Sequence, residues 1–139
     1  VQNEFLFGSE KNLKMLTIYT DGSCKPNPGK GGWAYIALED NYEVRKSGRL
    51  GNTTNNIMEL TAVINAVRDF PQYNTYHIFT DSQYVIKCAD GTFQRKKNQE
   101  LWREYDSVTK GKKIVFTWVK GHNGDKYNEM VDVLASSSN

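Results

Sequence analysis

At Met58 the apolar period of the chain changes, and that change decides what the chain can fold into. Upstream, residues 15–20 (MLTIYT), 33–38 (WAYIAL) and 42–50 (YEVRKSGRL) have the alternation and the aromatic and β-branched content of strands. The last two are joined by the short turn "EDN", so they form a hairpin. From Met58 the apolar residues fall at Met58, Ala62, Val63, Ala66, Val67 and Phe70, a helical stripe that Thr53 or Thr54 can cap and Pro71 ends. Further on, Tyr76–Thr80 and Ile114–Val119 read as strands. Ser82 caps a short helix running to Cys88, and Gln99–Val108 and Tyr127–Ala135 read as two more helices.

The order is therefore β-β-β-α-β-α-α-β-α. Short connections let the first three strands run antiparallel, whereas strands separated by helices pair parallel through crossovers. The expected class is α/β, with a five-stranded mixed sheet flanked by helices. The 139 residues suit one domain, with residues 14–139 as its body and residues 1–13 as an extension of unassigned role. "KPNPGKGG" (Lys25–Gly32) has neither the GK[ST] ending of a phosphate-binding loop nor the GxGxxG spacing, and reads as a tight turn. Cys24 and Cys88 lie far apart and are read as two small buried thiols, a disulfide between them being left open. Cys24 and Cys88 form no CxxC pattern, which disfavours structural zinc. No apolar run has the length of a membrane span, and residues 1–14 do not read as a signal peptide, so the expected location is cytoplasmic with no membrane partner. The net charge of +2 is a weak argument for a polyanionic partner, which local clusters must carry.

Two six-residue stretches nearly repeat each other: "IYTDGS" at 18–23 and "IFTDSQ" at 78–83. Asp is a poor strand former, yet Asp21 and Asp81 each arrive at the end of a strand-like run. Ligands of open α/β sheets gather at the carboxyl ends of strands, so two parallel neighbours would bring both carboxylates to one edge. Like charges there repel unless a cation intervenes, and hard oxygen ligands favour Mg²⁺ or Mn²⁺. Either Asp alone is explained as a cap or turn residue; two at matching strand ends favour a metal. Glu59 stands about one turn into the long helix behind Asn55 and Asn56, where a dipole role and a reach to the strand ends both stay open.

"YTDGSCKPNPGKGGWA", "TTNNIMEL", "TDSQYV" and "WVKGHNGDKYNEMVD" resemble, in order, the four motif blocks of the type 1 ribonuclease H family, and the likeness runs from about Leu16 to Ala135. The resemblance implies the ribonuclease H-like fold and cleavage of the RNA strand of an RNA–DNA hybrid, with two divalent metals (Mg²⁺, with Mn²⁺ as the alternative) and 5′-phosphate and 3′-hydroxyl products. By the same resemblance Asp21 bridges both metals, Glu59 and Asp81 hold the second, Asp132 holds the first, and His122 assists proton handling or product departure. Asn27, Asn55, Asn56 and Gln83 match positions on the RNA side of the groove, Asn128 is a further substrate-side residue, and Thr54 matches a position that holds a DNA-strand phosphate. A helix-cap role for Thr54 is compatible with that task.

The chain departs from many members in one place. "DGTFQRKKNQELW" is too short for the inserted basic helix and loop that grip the DNA strand. Arg95, Lys96 and Lys97, with Phe93 as a stacking residue, form a reduced patch or simply a solvated loop; Lys110, Lys112 and Lys113 read as solvating a turn. A monomeric enzyme is expected. A nuclease part of a reverse transcriptase stays open, as does a non-cleaving hybrid-binding module, although the latter should lack a carboxylate. A transposase or integrase of the same superfamily would not carry "TTNNIMEL" and "WVKGH" together.

Overall fold

Alternation along the first strand sends Leu16 and Ile18 to one face and Tyr19 to the other, and a separate apolar cluster grows on each face. The computed structural model describes residues 15–121 and 124–137. Its sheet has β1 (Met15–Cys24) at the centre, with β2 (Gly29–Glu39) and β3 (Tyr42–Thr53) on one side and β4 (Thr75–Thr80) and β5 (Lys113–Trp118) on the other. The β1–β2 and β2–β3 pairs are antiparallel; the β1–β4 and β4–β5 pairs are parallel, as the connection lengths require.

Three helices, α1 (Asn55–Asp69), α2 (Gln83–Ala89) and α3 (Gln99–Thr109), belong to the larger cluster, in which Leu60, Val63, Ile64, Val67, Val85 and Trp102 pack with Leu16, Ile18 and Ile78 of the sheet. The fourth, α4 (Lys126–Ser136), covers the opposite face over β1 and β2, where Val131 and Ala135 meet Tyr19, Ala34 and Ile36. Thr54 caps α1, its Oγ1 accepting from the N–H of Ile57 at 3.2 Å, and Ser82 caps α2 by accepting from Val85 N–H at 3.1 Å. Leu60 and Ile64 are buried as well as the expected stripe, because α1 lies between the sheet and α3. No described helix is long and apolar enough to cross a membrane.

The early strands extend beyond their expected ends. β1 continues through Asp21 to Cys24, paired as Asp21↔Ala34 and Cys24↔Gly31, so Asp21 lies within β1 and not at its end. β2 begins at Gly29 and β3 runs on to Thr53, leaving only residues 25–28 of the Pro- and Gly-rich stretch outside the ladder. The glycines there serve close packing more than turning: a Cβ on Gly31 would stand 2.4 Å from Thr53 Cγ2, and one on Gly32 2.2 Å from the Ala135 carbonyl oxygen. Both cysteines are buried and free, with the Cys24 thiol directed at the carbonyls of Pro26, Gly29 and Thr53.

Two of the basic residues singled out from the sequence have internal partners. Arg95 makes a two-pronged bond to Asp106 at 2.8 Å, donates to the Cys88 carbonyl and lies 4.4 Å over Trp102, so the candidate patch reduces to Lys96 and Lys97. Lys112 donates to the carbonyls of Pro71 and Tyr73 at 2.8 and 2.7 Å above the Tyr76 ring; it pins a turn, and burial lowers its pKa.

Candidate active site

The parallel β1–β4 ladder ends at Tyr19↔Phe79, while β1 runs on alongside β2. Asp21 therefore projects where β4 has stopped, and Asp81 stands just beyond the last residue of β4. Both carboxylates emerge at one edge, as expected of parallel neighbours. Glu59 joins them from α1, and ligand oxygens of Asp21, Glu59 and Asp81 all lie within 4.8 Å of one another. Asp132, on α4, reaches Asp21 from the other face of the sheet.

A glycine brings α1 this close. A Cβ on Gly22 would meet Glu59 N at 2.4 Å and Met58 C at 2.5 Å, so the helix backbone lies directly on the strand. The Gly22 N–H also donates to Asp21 Oδ1 at 2.9 Å, which fixes the carboxylate. Gly121 plays a related part: a Cβ there would stand 3.3 Å from Asp81 Oδ2. Neither glycine is among the residues picked out from the motifs, although an isolated glycine in a strand-like run is itself a sign of close backbone approach.

Electrostatics shows what the cluster lacks. Asp21 is 3% exposed, and burial, with the charges of Asp81 and Asp132, pushes its carboxyl up to about 9. Burial and the charges of Asp21 and Asp81 raise Glu59 well above the ordinary carboxylate range. Glu59 Oε1 is closed off from solvent, and among the described residues no hydrogen-bond donor reaches it. Among the described residues, no cationic side chain is one of the groups that shift Asp21 or Glu59. Converging, largely buried, hard oxygen ligands with no cation among the described side chains beside them fit a divalent metal.

The remaining predicted residues fall into separate groups. Asn27 Oδ1 accepts from the Asn55 N–H at 3.1 Å, which ties the 25–28 loop to the start of α1 and gathers Asn27, Thr54, Asn55 and Asn56 there. Gln83 opens α2 and is exposed. Asn128 is buried; its N–H donates to the Asp125 cap and its amide to the Lys120 carbonyl at 3.4 Å, so it anchors the segment between β5 and α4. His122 lies outside the described residues. Lys96 and Lys97 are exposed and, with Tyr84, Cys88 and Phe93, border a shallow, largely apolar cavity of about 550 Å³.

Comparison with known proteins matches the RNase H family over residues 13–139. The chain belongs to the ribonuclease H family. Among its curated relatives, the ribonuclease H of Wolbachia sp. subsp. Drosophila simulans is 45% identical over 135 residues, covering 88% of this chain and 93% of the relative. A Campylobacter jejuni ribonuclease H is 43% identical over 131 residues, covering 88% and 90%. The fold is also similar to that of LC11-RNase H1, solved in complex with an RNA/DNA hybrid (TM-score 0.76, 22% identity, 88% and 94% covered). An N-terminal RNase H domain from Mycobacterium tuberculosis gives a TM-score of 0.79 at 21% identity, with 88% and 91% covered. The type 1 branch of the ribonuclease H family fits, and this member of it is a nuclease, a hydrolase.

Proposed function

We propose that the chain is an endoribonuclease that hydrolyses the RNA strand of RNA–DNA hybrids with two divalent cations, leaving 5′-phosphate and 3′-hydroxyl ends. The observation that carries this reading is the convergence of Asp21, Glu59 and Asp81 within 4.8 Å, with Asp132 adjoining, in a chain of the ribonuclease H family. In this reading the four carboxylates hold the cations, Mg²⁺ first and Mn²⁺ as the alternative. Bound there, such ions supply Lewis-acid stabilisation of the attacking and leaving oxygens of an in-line displacement. Asp21, fixed by the Gly22 N–H, orients the set from the centre; Glu59 and Asp81 close it from α1 and from the end of β4. His122 takes the proton-handling role.

Hybrid selection then rests on the residues at the helix starts. The 2′-hydroxyl separates RNA from DNA at a given site, and the amides of Asn27, Asn55, Asn56 and Gln83 can both donate to it and accept from it. Thr54 has its hydroxyl beside the first N–H groups of α1, an arrangement suited to a phosphate of the DNA strand. Asn128 acts indirectly in this scheme, through the segment it anchors.

The test is incubation with labelled RNA–DNA hybrid, duplex DNA and duplex RNA, in Mg²⁺ or EDTA. The expected result is cleavage of the RNA strand of the hybrid alone, in Mg²⁺ alone. Cleavage of the DNA strand, or cleavage in EDTA, would overturn the proposal. Asp21→Asn should abolish cutting while folding and hybrid binding persist.

A further inference from the structure

We propose that Trp118 is a positioning residue for Asp81, its indole N–H tethering the Asp81 backbone so that the carboxylate stays against Asp21 and Glu59. The inference rests on the reading of Asp81 as a metal-holding carboxylate.

β4 ends at Thr80, so Asp81 has left the ladder that would otherwise fix it. The end of β5 holds it instead. The Val119 N–H donates to the Thr80 carbonyl at 2.9 Å, and Trp118 Nε1–H donates to the Asp81 carbonyl at 3.3 Å. On the other side of the same residue, the backbone at Gly121 comes so near Asp81 Oδ2 that an added Cβ would stand 3.3 Å from it. Asp81 is thus gripped through its carbonyl and confined at its carboxylate by one short stretch of chain.

Trp118 is 48% exposed, and in register it lies opposite Thr80. An indole that open to water gains only part of what burial offers a large aromatic; its distinctive contribution here is a single donor with one acceptor. The tethered carbonyl carbon and the carboxylate-bearing Cβ share one Cα. A backbone free to pivot there would carry the carboxylate out of the cluster.

Trp118→Phe keeps a ring and removes the donor. Two measurements on the full chain decide the matter: thermal midpoints across a Mg²⁺ or Mn²⁺ titration without substrate, and steady-state kinetics on an RNA–DNA hybrid. The metal-free midpoint should hold. The cation concentration for half-maximal stabilisation should rise about tenfold, the low end of the 10–100-fold seen when a group that orients a metal ligand is lost. At subsaturating metal kcat should fall with it while KM for the hybrid stays unchanged. Trp118→Leu should give the same shift, so the result does not depend on the folding of one variant. A metal response within about twofold of the parent overturns the tether. So does a raised KM with an unmoved metal response, which would make the indole a stacking surface for substrate. If the parent chain fails to cut hybrid but Trp118→Phe still weakens the metal response, the proposed substrate falls and the tether stands.

Discussion

Gly22→Ala tests the contact on which the carboxylate cluster depends. The new Cβ would arrive 2.4 Å from Glu59 N, 2.5 Å from Met58 C and 2.8 Å from Met58 Cβ. Ordinary contact begins near 3.4 Å, so the shortest gap is too small by about 1 Å. Two of the three atoms met are helix backbone, which no rotamer change can clear. Either α1 backs away from β1 or β1 bends, and both separate Glu59 from Asp21. Overpacking of this kind costs about 1–3 kcal/mol, offset by roughly 0.4–1 kcal/mol because Ala has less unfolded-state freedom than Gly. A net loss of about 1–2 kcal/mol should lower the melting temperature by about 3–8 °C in a chain of this size. Activity should fall further than stability, since a displacement of about 1 Å at reacting groups can cost on the order of 100-fold. Gly51→Ala is the matched control: nothing lies within 4 Å of a Cβ there. Calorimetry and hybrid-cleavage kinetics on both variants decide it. If Gly22→Ala melted within about 1 °C of the parent and cut within about twofold of its rate, close approach of α1 would not be what assembles the site.

Three further outcomes follow from contacts elsewhere. Asp21 has its carboxyl pushed up to about 9, so the metal-free folded chain holds a proton there that the unfolded chain releases above about pH 4; stability is full below that and falls as pH rises through about 9. Melting in EDTA should drop across that window, Asp21→Asn should flatten the drop, and Mg²⁺ should raise the melting temperature more at about pH 8 than at about pH 5. Replacing both exposed lysines, Lys96→Ala with Lys97→Ala, should flatten the slope of log K against log salt for hybrid binding by about 1.4–1.8, and an unchanged slope would remove them from the interface. Arg49 closes the end of α4 by donating to the carbonyls of Leu134 and Ala135 and to Ser137 Oγ; Arg49→Ala should cost about 1–3 kcal/mol in denaturant unfolding and slow cleavage by loosening the helix that carries Asp132.

The fold was legible wherever one period dominated. The stripe from Met58 to Phe70, the two cap hydroxyls and the short hairpin turn each have one local solution, and the structure adopts it. Strand ends were less legible where residues that usually break strands are used for packing. Gly31 and Gly32 read as turn residues but lie in β2, because Thr53 and Ala135 fill the space where side chains would be. Arg95 read as a patch or loop charge and Lys112 as a solvating one, since nothing local reveals Asp106, Trp102 or the carbonyls near Pro71, all distant in sequence or settled by packing. The carboxylates were nameable from their motifs, but the reason Glu59 meets Asp21 lies in a missing Cβ on Gly22, which only the packed helix exposes.

The cluster breaks local rules that the rest of the chain obeys. Asp21 occupies a buried strand position, Glu59 directs into a closed space an oxygen that has no partner among the described residues, and Gly22 gives up a side chain where β1 meets α1. Conflicts of this kind concentrate at functional sites, and here they share one resolution. Without metal, Asp21 and Glu59 are driven toward their protonated forms by burial and by the neighbouring carboxylates, so protons and cations compete for their oxygens. A cation that wins replaces mutual repulsion with attraction, and the site becomes ordered by the ion it holds. Burial that would make the charges of Asp21 and Glu59 untenable is then, in the proposed reading, what suits the same oxygens to a small, hard, doubly charged ion, because weaker interactions cannot offset their desolvation. The glycine that admits α1 and the β5 end that confines Asp81 serve that single purpose: they hold the oxygens close enough that a proton or such a cation is needed to relieve them.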